Sequence, residues 1–479
     1  MATTDPETLA SWGGGPDLSA WEALMWRSSG DYRTRSTGVL VEILDTEPDW
    51  DRLVAAHDVF TRQVPRLRER IVEPPLPLVS PAWSPDPNFD LSYHLQRVRL
   101  PGDGSMAELR RLAAQFAARP VDPERPPWEA LLVLGLHGGR AAYLFKPHHS
   151  LSDGVGLLQL LDLSHAHSRE HRSADGAQTP EPRPSESPEG LLIGRLGAQT
   201  VNAPVSAFRG ALAAAGKFVG DPVGTATNAV GFAMSLRRVL TPPDAPHSPA
   251  LSGRGSGYRL DTFDVPLADL KTGAKAAGGS LNDAFLAGLL GGLRLYHEAL
   301  SLSVDLIPMA IPVSIRTDAD PMGSNKFAAA RFVAPVGEPD PRKRIAAIHE
   351  FVAEARTEPA IGFLDLIAPV LSRLPEIALT RIAGQMTELN DLQASNLGAI
   401  TRPLYLAGAK VTHIYPMGPR PGLPTMAAML TYDGNCCIAV NYDPDAITHP
   451  DEFGACLRAG FDEVIALGKP NKGVSNELQ

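Results

Sequence analysis

Three cysteines in 479 residues, Cys436, Cys437 and Cys456, are too few and too poorly spaced for a disulfide framework or a zinc site, so buried free thiols are expected. Positive charge is scarce too: a net charge of −10 and a pI near 5.7 provide no basic field for nucleic acid. The basic clusters that do occur, Arg66 to Arg70 and Arg237-Arg238, fall on helical patterns and read as solvated faces. No uninterrupted apolar run is long enough to span a bilayer, which leaves only peripheral contact with a membrane. Met1 to Asp17 has acidic residues and a glycine run where a signal peptide needs positive charge and an apolar core, so a cytoplasmic protein is expected. The elbow Gly-x-Ser-x-Gly surrounds no serine, which argues against a Ser-His-Asp hydrolase.

What is present is a soluble globular composition, 44% hydrophobic and 20% charged, over a length that fits two domains of ordinary size. In the first half, strands are expected at 38–44, 91–100, 129–135 and 140–145, and helices at 49–71 and 106–118, with 74–87 as a proline-rich loop. His57 on its apolar helical face reads as a core residue, and His94 receives no role. From His165 to Gly190 the composition turns to Ser, Pro, Glu and Arg, a solvated connector whose His165, His167 and His171 lack the partners to complete a metal shell. Leu191 to Leu240 reads as a pair of amphipathic helices that either pack between domains or lie on lipid. The second half repeats the mixture: strands at 258–265 and 304–311, helices from Gly278 to about Tyr296 and at 341–356, 362–386 and 450–467, and a hairpin turning at Asp433-Gly434. Ser280 with Asp283 makes an N-terminal capping box. The organisation expected is mixed α/β throughout, with halves at 1–164 and 251–479 joined by a linker at 165–250.

The chemistry concentrates in Lys146-Pro147-His148-His149-Ser150-Leu151-Ser152-Asp153-Gly154, a loop between a strand and a helix. Loops held this way present side chains to a ligand, and a histidine there can act as a base near neutral pH. The pattern His-His-x-x-x-Asp-Gly resembles the signature of the CoA-dependent acyltransferase superfamily. Pro81-Ala82-Trp83, Asn88-Phe89-Asp90, Tyr93-His94 and the run from Asp122 to Glu129 narrow the resemblance to bacterial wax ester synthase/diacylglycerol acyltransferases, over roughly residues 35 to 465. Pro312 to Arg316, Gly323-Ser324-Asn325 and Ser395-Asn396-Leu397-Gly398 are similar to later blocks of that family, although the usual Gly-Pro after the last of these is missing.

The resemblance implies two chloramphenicol-acetyltransferase-like domains with the active site at their interface. It implies acyl-CoA as cosubstrate with no cofactor or metal, and esterification of a fatty alcohol or diacylglycerol to wax ester or triacylglycerol. His149 would be the general base, His148 would shape the loop, and Asp153 would pair with Arg316 to hold it. Gly154 would keep the turn uncrowded, and Asn282 with Asp283 would lie near the site, Asn282 or Ser314 donating to the oxyanion. An alkyl alcohol is too weak an acid for an imidazole with a pKa of about 6.5 to ionise outright, so the base must act in the transition state. Another hydroxyl metabolite as acceptor, as in condensation domains, and a lipid-binding paralogue without turnover are the competing readings. Peripheral association with membrane or lipid droplets goes with the lipid acceptors; no oligomeric state follows from the pattern.

Overall fold

The computed structural model describes residues 6–76, 79–170, 183–195, 245–314, 316, 320–325, 327–357, 381 and 389–469. Its first half begins with helices α1 (Pro6–Ala10) and α2 (Ala20–Ser28), the latter opened by a Ser19–Glu22 capping box. Strand β1 (Val39–Leu44) and helix α3 (Trp50–Gln63) follow. The helix expected as far as residue 71 ends at Gln63 because Pro65 starts a 3-10 turn, from which the chain enters a two-stranded ribbon of β2 (Glu69–Val72) and β3 (Ala82–Pro85). Arg66 there is not solvated. It is 3% exposed, pairs with Glu69 at 2.9 Å and lies over Trp83.

The strand expected at 91–100 divides into a single turn, α4 (Leu91–His94), and β4 (Leu95–Arg99), because Asp90 caps the turn through the Ser92 amide. Helix α5 (Met106–Ala118), strands β5 (Trp128–Leu136) and β6 (Arg140–Pro147), and helix α6 (Gly154–Ser164) complete the half as the periodicity predicts. His57 bonds Tyr143 at 2.6 Å and His94 stacks between Phe89 and Trp128, so both are core residues. The connector is docked where described: His165 is buried against Glu42 at 2.7 Å, Arg183 pairs with Glu69, and Leu191 is 2% exposed. His171 and most of 191–240 lie outside the described residues.

The second half supplies β7 (Arg259–Pro266), α7 (Leu267–Ala276), α8 (Leu281–Ala299), β8 (Ile307–Ser314), β9 (Phe327–Ala334) and α9 (Pro341–Thr357). Then come β10 (Leu392–Ile400), β11 (Tyr405–Leu406), β12 (Ala409–Met417), β13 (Thr425–Tyr432), β14 (Asn435–Tyr442) and α10 (Pro450–Ala466). The helix expected at 362–386 lies outside the described residues apart from Arg381. Asp433 and Gly434 turn the β13–β14 hairpin with positive φ, 45° and 82°. Helices α8 and α10 approach closely because Gly288, Gly292 and Gly460 line the contact; a Cβ on Gly292 would sit 2.6 Å from the Cα of Leu457.

Two six-stranded sheets result, ordered β11-β12-β1-β6-β5-β4 and β7-β14-β13-β10-β8-β9. The first sheet thus takes two strands from the second half of the chain: Val39 pairs with Met417, and Leu40 pairs with Pro416 on one side and Phe145 on the other. This crossover fastens the halves by backbone hydrogen bonds. Each sheet carries its own apolar core, one around Val41, Leu53, Trp128 and Leu144, the other around Phe285, Ile307, Met429 and Phe461. All three cysteines are buried free thiols, two of them in β14 and one in α10. Among the described residues no helix is long and apolar enough to cross a membrane.

Candidate active site

The His-His loop leaves β6 at Pro147 and enters α6 at Gly154. Asp153 is the N-cap: its Oδ1 accepts from the Gly156 amide at 2.9 Å, satisfying one of the orphan donors of the helix's first turn. The same carboxylate meets Arg316, whose Nη2 lies 3.1 Å from both oxygens. One nitrogen straddles the two carboxylate oxygens. The rest of the guanidinium is held by the second half, Nη1 donating to the Pro321 carbonyl at 3.0 Å and Nη2 to the Ser324 carbonyl.

Asn325 makes the second clamp across the interface. It is 5% exposed, and its Nδ2 donates to the His149 carbonyl at 2.8 Å and to the Ser150 carbonyl and Glu22 Oε1, each at 3.3 Å. The His149 amide donates to the Ser36 carbonyl at 2.7 Å. The loop is therefore fixed from both halves of the chain.

The two histidines have opposite surroundings. His148 is 1% exposed and edge-on to Trp26. The Ser150 amide donates to its Nδ1 at 3.1 Å, so the ring proton resides on Nε2, 2.7 Å from Ser29 Oγ, which passes its own proton to the Met25 carbonyl. Burial, then the neighbouring His149, pushes the His148 pKa down to about 3. His149 is half-buried and turns its side of the loop to a cavity of about 330 Å3. Burial pulls its pKa below the usual histidine range, opposed by the Asp153 charge. A neutral imidazole is the form that accepts a proton.

The cavity lies between the halves. Trp21, Leu24, Met25, Val39, Leu40 and Leu157 face it from the first; Ala310, Ser314, Arg331, Gln393, Ser395 and Met426 face it from the second. Asp153 and Gly154 line it beside His149. Asn282 and Asp283 are not among its lining residues. Asp283 serves the capping box, taking the Ser280 amide at 2.8 Å and His349 Nδ1 at 2.8 Å, so the sequence feature that marked the pair is a helix start.

Sequence reasoning passed over α2 and Arg331. The Ser19-x-x-Glu22 box before an apolar run was a legible signal for the helix. Arg331 had none, because β9 reads Phe-Ala-Ala-Ala-Arg-Phe-Val-Ala, with small residues on both faces.

Comparison with known proteins agrees with this geometry. The model of the wax ester synthase/diacylglycerol acyltransferase catalytic domain matches residues 18–285, and that of the WS/DGAT C-terminal domain matches 323–464. A putative diacylglycerol O-acyltransferase of Mycobacterium tuberculosis is 40% identical over 455 residues, covering 94% of this chain and 92% of its own. Among solved structures, a wax ester synthase/diacylglycerol acyltransferase from Marinobacter aquaeolei superposes with a TM-score of 0.61 at 19% identity, covering 95% of this chain and all of that one. The starter condensation domain of rhizomide synthetase, solved with C8-CoA, gives 0.55 at 14% identity over 98% of this chain and 97% of that one. These two likenesses carry the fold, two mixed α/β domains. With both family models matched in order along its length, the chain belongs to the wax ester synthase/diacylglycerol acyltransferase family and is an acyltransferase.

Proposed function

We propose that the enzyme transfers an acyl group from acyl-CoA to the hydroxyl of a long-chain alcohol or diacylglycerol, with His149 as general base. One observation carries the assignment within the histidine pair: both ring nitrogens of His148 are engaged by serines, while His149 lines the cavity. As the acceptor oxygen attacks the thioester carbonyl carbon, a ring nitrogen of His149 takes the hydroxyl proton. The tetrahedral intermediate then collapses, the C–S bond breaks, and the imidazolium returns the proton to the departing thiolate, leaving ester and CoA thiol. No acyl-enzyme and no metal enters the sequence. Asp153 and Arg316 hold the loop, and His148 fixes its shape. Gly154 leaves room beside the base. Ser314, exposed in the cavity wall, is the hydroxyl that reaches the developing oxyanion.

The names of the relatives support a lipid acceptor, and the C8-CoA held by a protein of this fold supports acyl-CoA as donor. In this reading residues 1–164 and 251–479 are the two catalytic halves and 165–250 connects them. A lipid acceptor brings the protein to a membrane or droplet surface from the cytoplasm. Release of CoA thiol from palmitoyl-CoA, with hexadecanol, dioleoylglycerol or no acceptor, tests the proposal. His149→Ala is expected to lower acceptor-dependent release by roughly 10²–10⁴-fold while leaving the thermal midpoint close to that of the parent. Equal turnover by parent and variant would remove His149 from the mechanism.

A further inference from the structure

Strand β9 sends alternate residues to opposite sides. Ala330 and Phe332 go into the second core, Phe332 stacked on Phe351 with ring centroids 3.7 Å apart, while Ala329 and Arg331 line the cavity. The register places Arg331 opposite Ala310 of β8, Ala310 opposite Gln393 of β10, and Gln393 opposite Met426 of β13. A row therefore crosses the sheet with an arginine and an amide separated by one methyl group. Ser314 is paired with Phe327, so the row lies four residues along the strand from the Ser314 end, about 13 Å at ordinary strand rise.

Several other buried or partly buried arginines near the interface and cores have acids: Arg66 has Glu69, Arg316 has Asp153, Arg344 has Glu463 and Arg420 has Asp443, while Arg35 is held by the Ala118 carbonyl. Arg331 differs. Among the described residues no carboxylate pairs with it, and burial alone draws its pKa below the arginine range; its Nε, like those of Arg316, Arg344 and Arg420, is buried without an acceptor. Asn390, 3% exposed at the entry to β10, also lines the cavity and has amide N–H donors to offer an anion. A guanidinium stays charged in proteins, and a charge removed from water without a counter-ion is costly. A substrate acid group would supply one.

Resting on the acyl-transfer reading above, we infer that Arg331, flanked by Gln393 and Asn390, is a carboxylate-binding subsite inside the reaction cavity, selecting acyl acceptors that carry an acid group remote from the hydroxyl. A planar carboxylate matches the guanidinium fork. The cavity, about 330 Å3 and walled around this row by Ala310, Ala329 and Met426, suits a narrow alkyl chain and its terminal carboxylate better than the bulky nucleotide of CoA. The acceptor class is a long-chain hydroxy acid, with its hydroxyl at His149 and its carboxylate at Arg331.

The test compares 12-hydroxydodecanoate with 1-dodecanol as acceptors for palmitoyl-CoA, using the full chain, Arg331→Gln and Arg331→Lys. The parent is expected to prefer the hydroxy acid by kcat/KM. Arg331→Gln is expected to lower that preference about 10- to 100-fold, the value of a charge-assisted hydrogen bond, and Arg331→Lys to restore part of it. An unchanged preference in Arg331→Gln overturns the inference. So does a change carried wholly by the KM for palmitoyl-CoA, which would make a CoA phosphate the anion. A thermal shift with 12-hydroxydodecanoate alone separates the subsite from the chemistry. Stabilisation of the parent and not of Arg331→Gln supports the subsite even if neither acceptor turns over, an outcome that would sink only the acyl-transfer reading. Equal stabilisation of both proteins, or of neither, overturns the subsite.

Discussion

The cavity has two walls of different character. From the first half come Trp21, Leu24, Met25, Val39, Leu40 and Leu157, a mainly apolar surface around His149 that also includes Ser28, Thr34, Ser36 and Ser152. Several polar groups behind it satisfy one another, His148 with Ser29 and Ser150, Glu22 with Ser19 and Asn325, although the Ser152 hydroxyl has no partner among the described residues. From the second half come Ser314, Arg331, Asn390, Gln393, Ser395 and Asn396 among alanines and prolines, and there Arg331 and Asn390 keep bonding capacity unspent inside the protein. A wall whose polar groups mostly bond one another holds a loop in one orientation. A wall with open ones can discriminate between ligands. On the function proposed above, the division would put the base in the first half, and the oxyanion donor and acceptor choice in the second, with the Asp153–Arg316 pair as the seam.

Breaking that seam should have the largest effect on stability. The Asp153 and Arg316 side chains are 6% and 15% exposed, so Asp153→Ala strands a desolvated guanidinium and removes the α6 N-cap together. A loss of about 3–5 kcal/mol is expected from urea unfolding. Arg331→Gln, also an arginine of the second half, should cost little or nothing, because it removes a charge with no acid beside it. Similar losses in both variants would erase the distinction between a paired arginine of the seam and an open one of the wall.

The buried histidines of the first half and the connector should also show in a pH titration. Burial pushes His57 down to about 4 and His148 to about 3, against about 6.5 for histidine in an unfolded chain. Below about pH 6.5 the unfolded state binds more protons than the folded one. Stability is thus complete above that value and falls as the pH drops towards 4 and then 3, by on the order of a few kcal/mol in all. His165 runs the other way. Burial lowers its pKa, but the Glu42 charge and hydrogen bond more than offset this and the net direction is up. Its contribution is full below about 6.5 and is lost as pH rises through the folded value. Urea midpoints across this range should flatten on the acid side in His57→Gln and on the alkaline side in His165→Gln.

Much of this was readable from residues close in sequence. Alternation located β1, β5 and β6, the helical period located α5 and α6, and the motif placed His149 and Asp153 in one loop. The Asp153–Arg316 pair, 163 residues apart, came from resemblance; no local pattern joins them. Asn282 and Asp283 carried two readings because one dipeptide serves equally for a cap and for a site; Asp283 is in the cap, and neither lines the cavity. The return of β12 to β1 and the inward face of Arg331 depend on long-range register, which the Ala-rich β9 leaves undetermined.

The smallest expected effect comes from the glycine at the seam itself. A Cβ on Gly154 would meet Leu397 Cγ of β10 at 3.3 Å, the end of a side chain belonging to the opposite wall that can yield by a few tenths of an ångström. Gly154→Ala gains roughly 0.5–1 kcal/mol of helix propensity. The strain on Leu397 offsets part of that, so the urea midpoint should hardly move. Two residues on, a Cβ on Gly156 would lie 1.8 Å from Ser152 Oγ and 2.9 Å from the backbone Cα of Gly323. The Ser152 hydroxyl can rotate away, but the Gly323 Cα is backbone and cannot, so Gly156→Ala is expected to cost about 1–3 kcal/mol and to lower turnover with every acceptor. Gly154→Ala reaches across to the second wall and should shift the ratio between acceptors more than the rate with any one of them. If instead both alanines slow all acceptors alike, the walls act as one unit and acceptor choice does not belong to the second half.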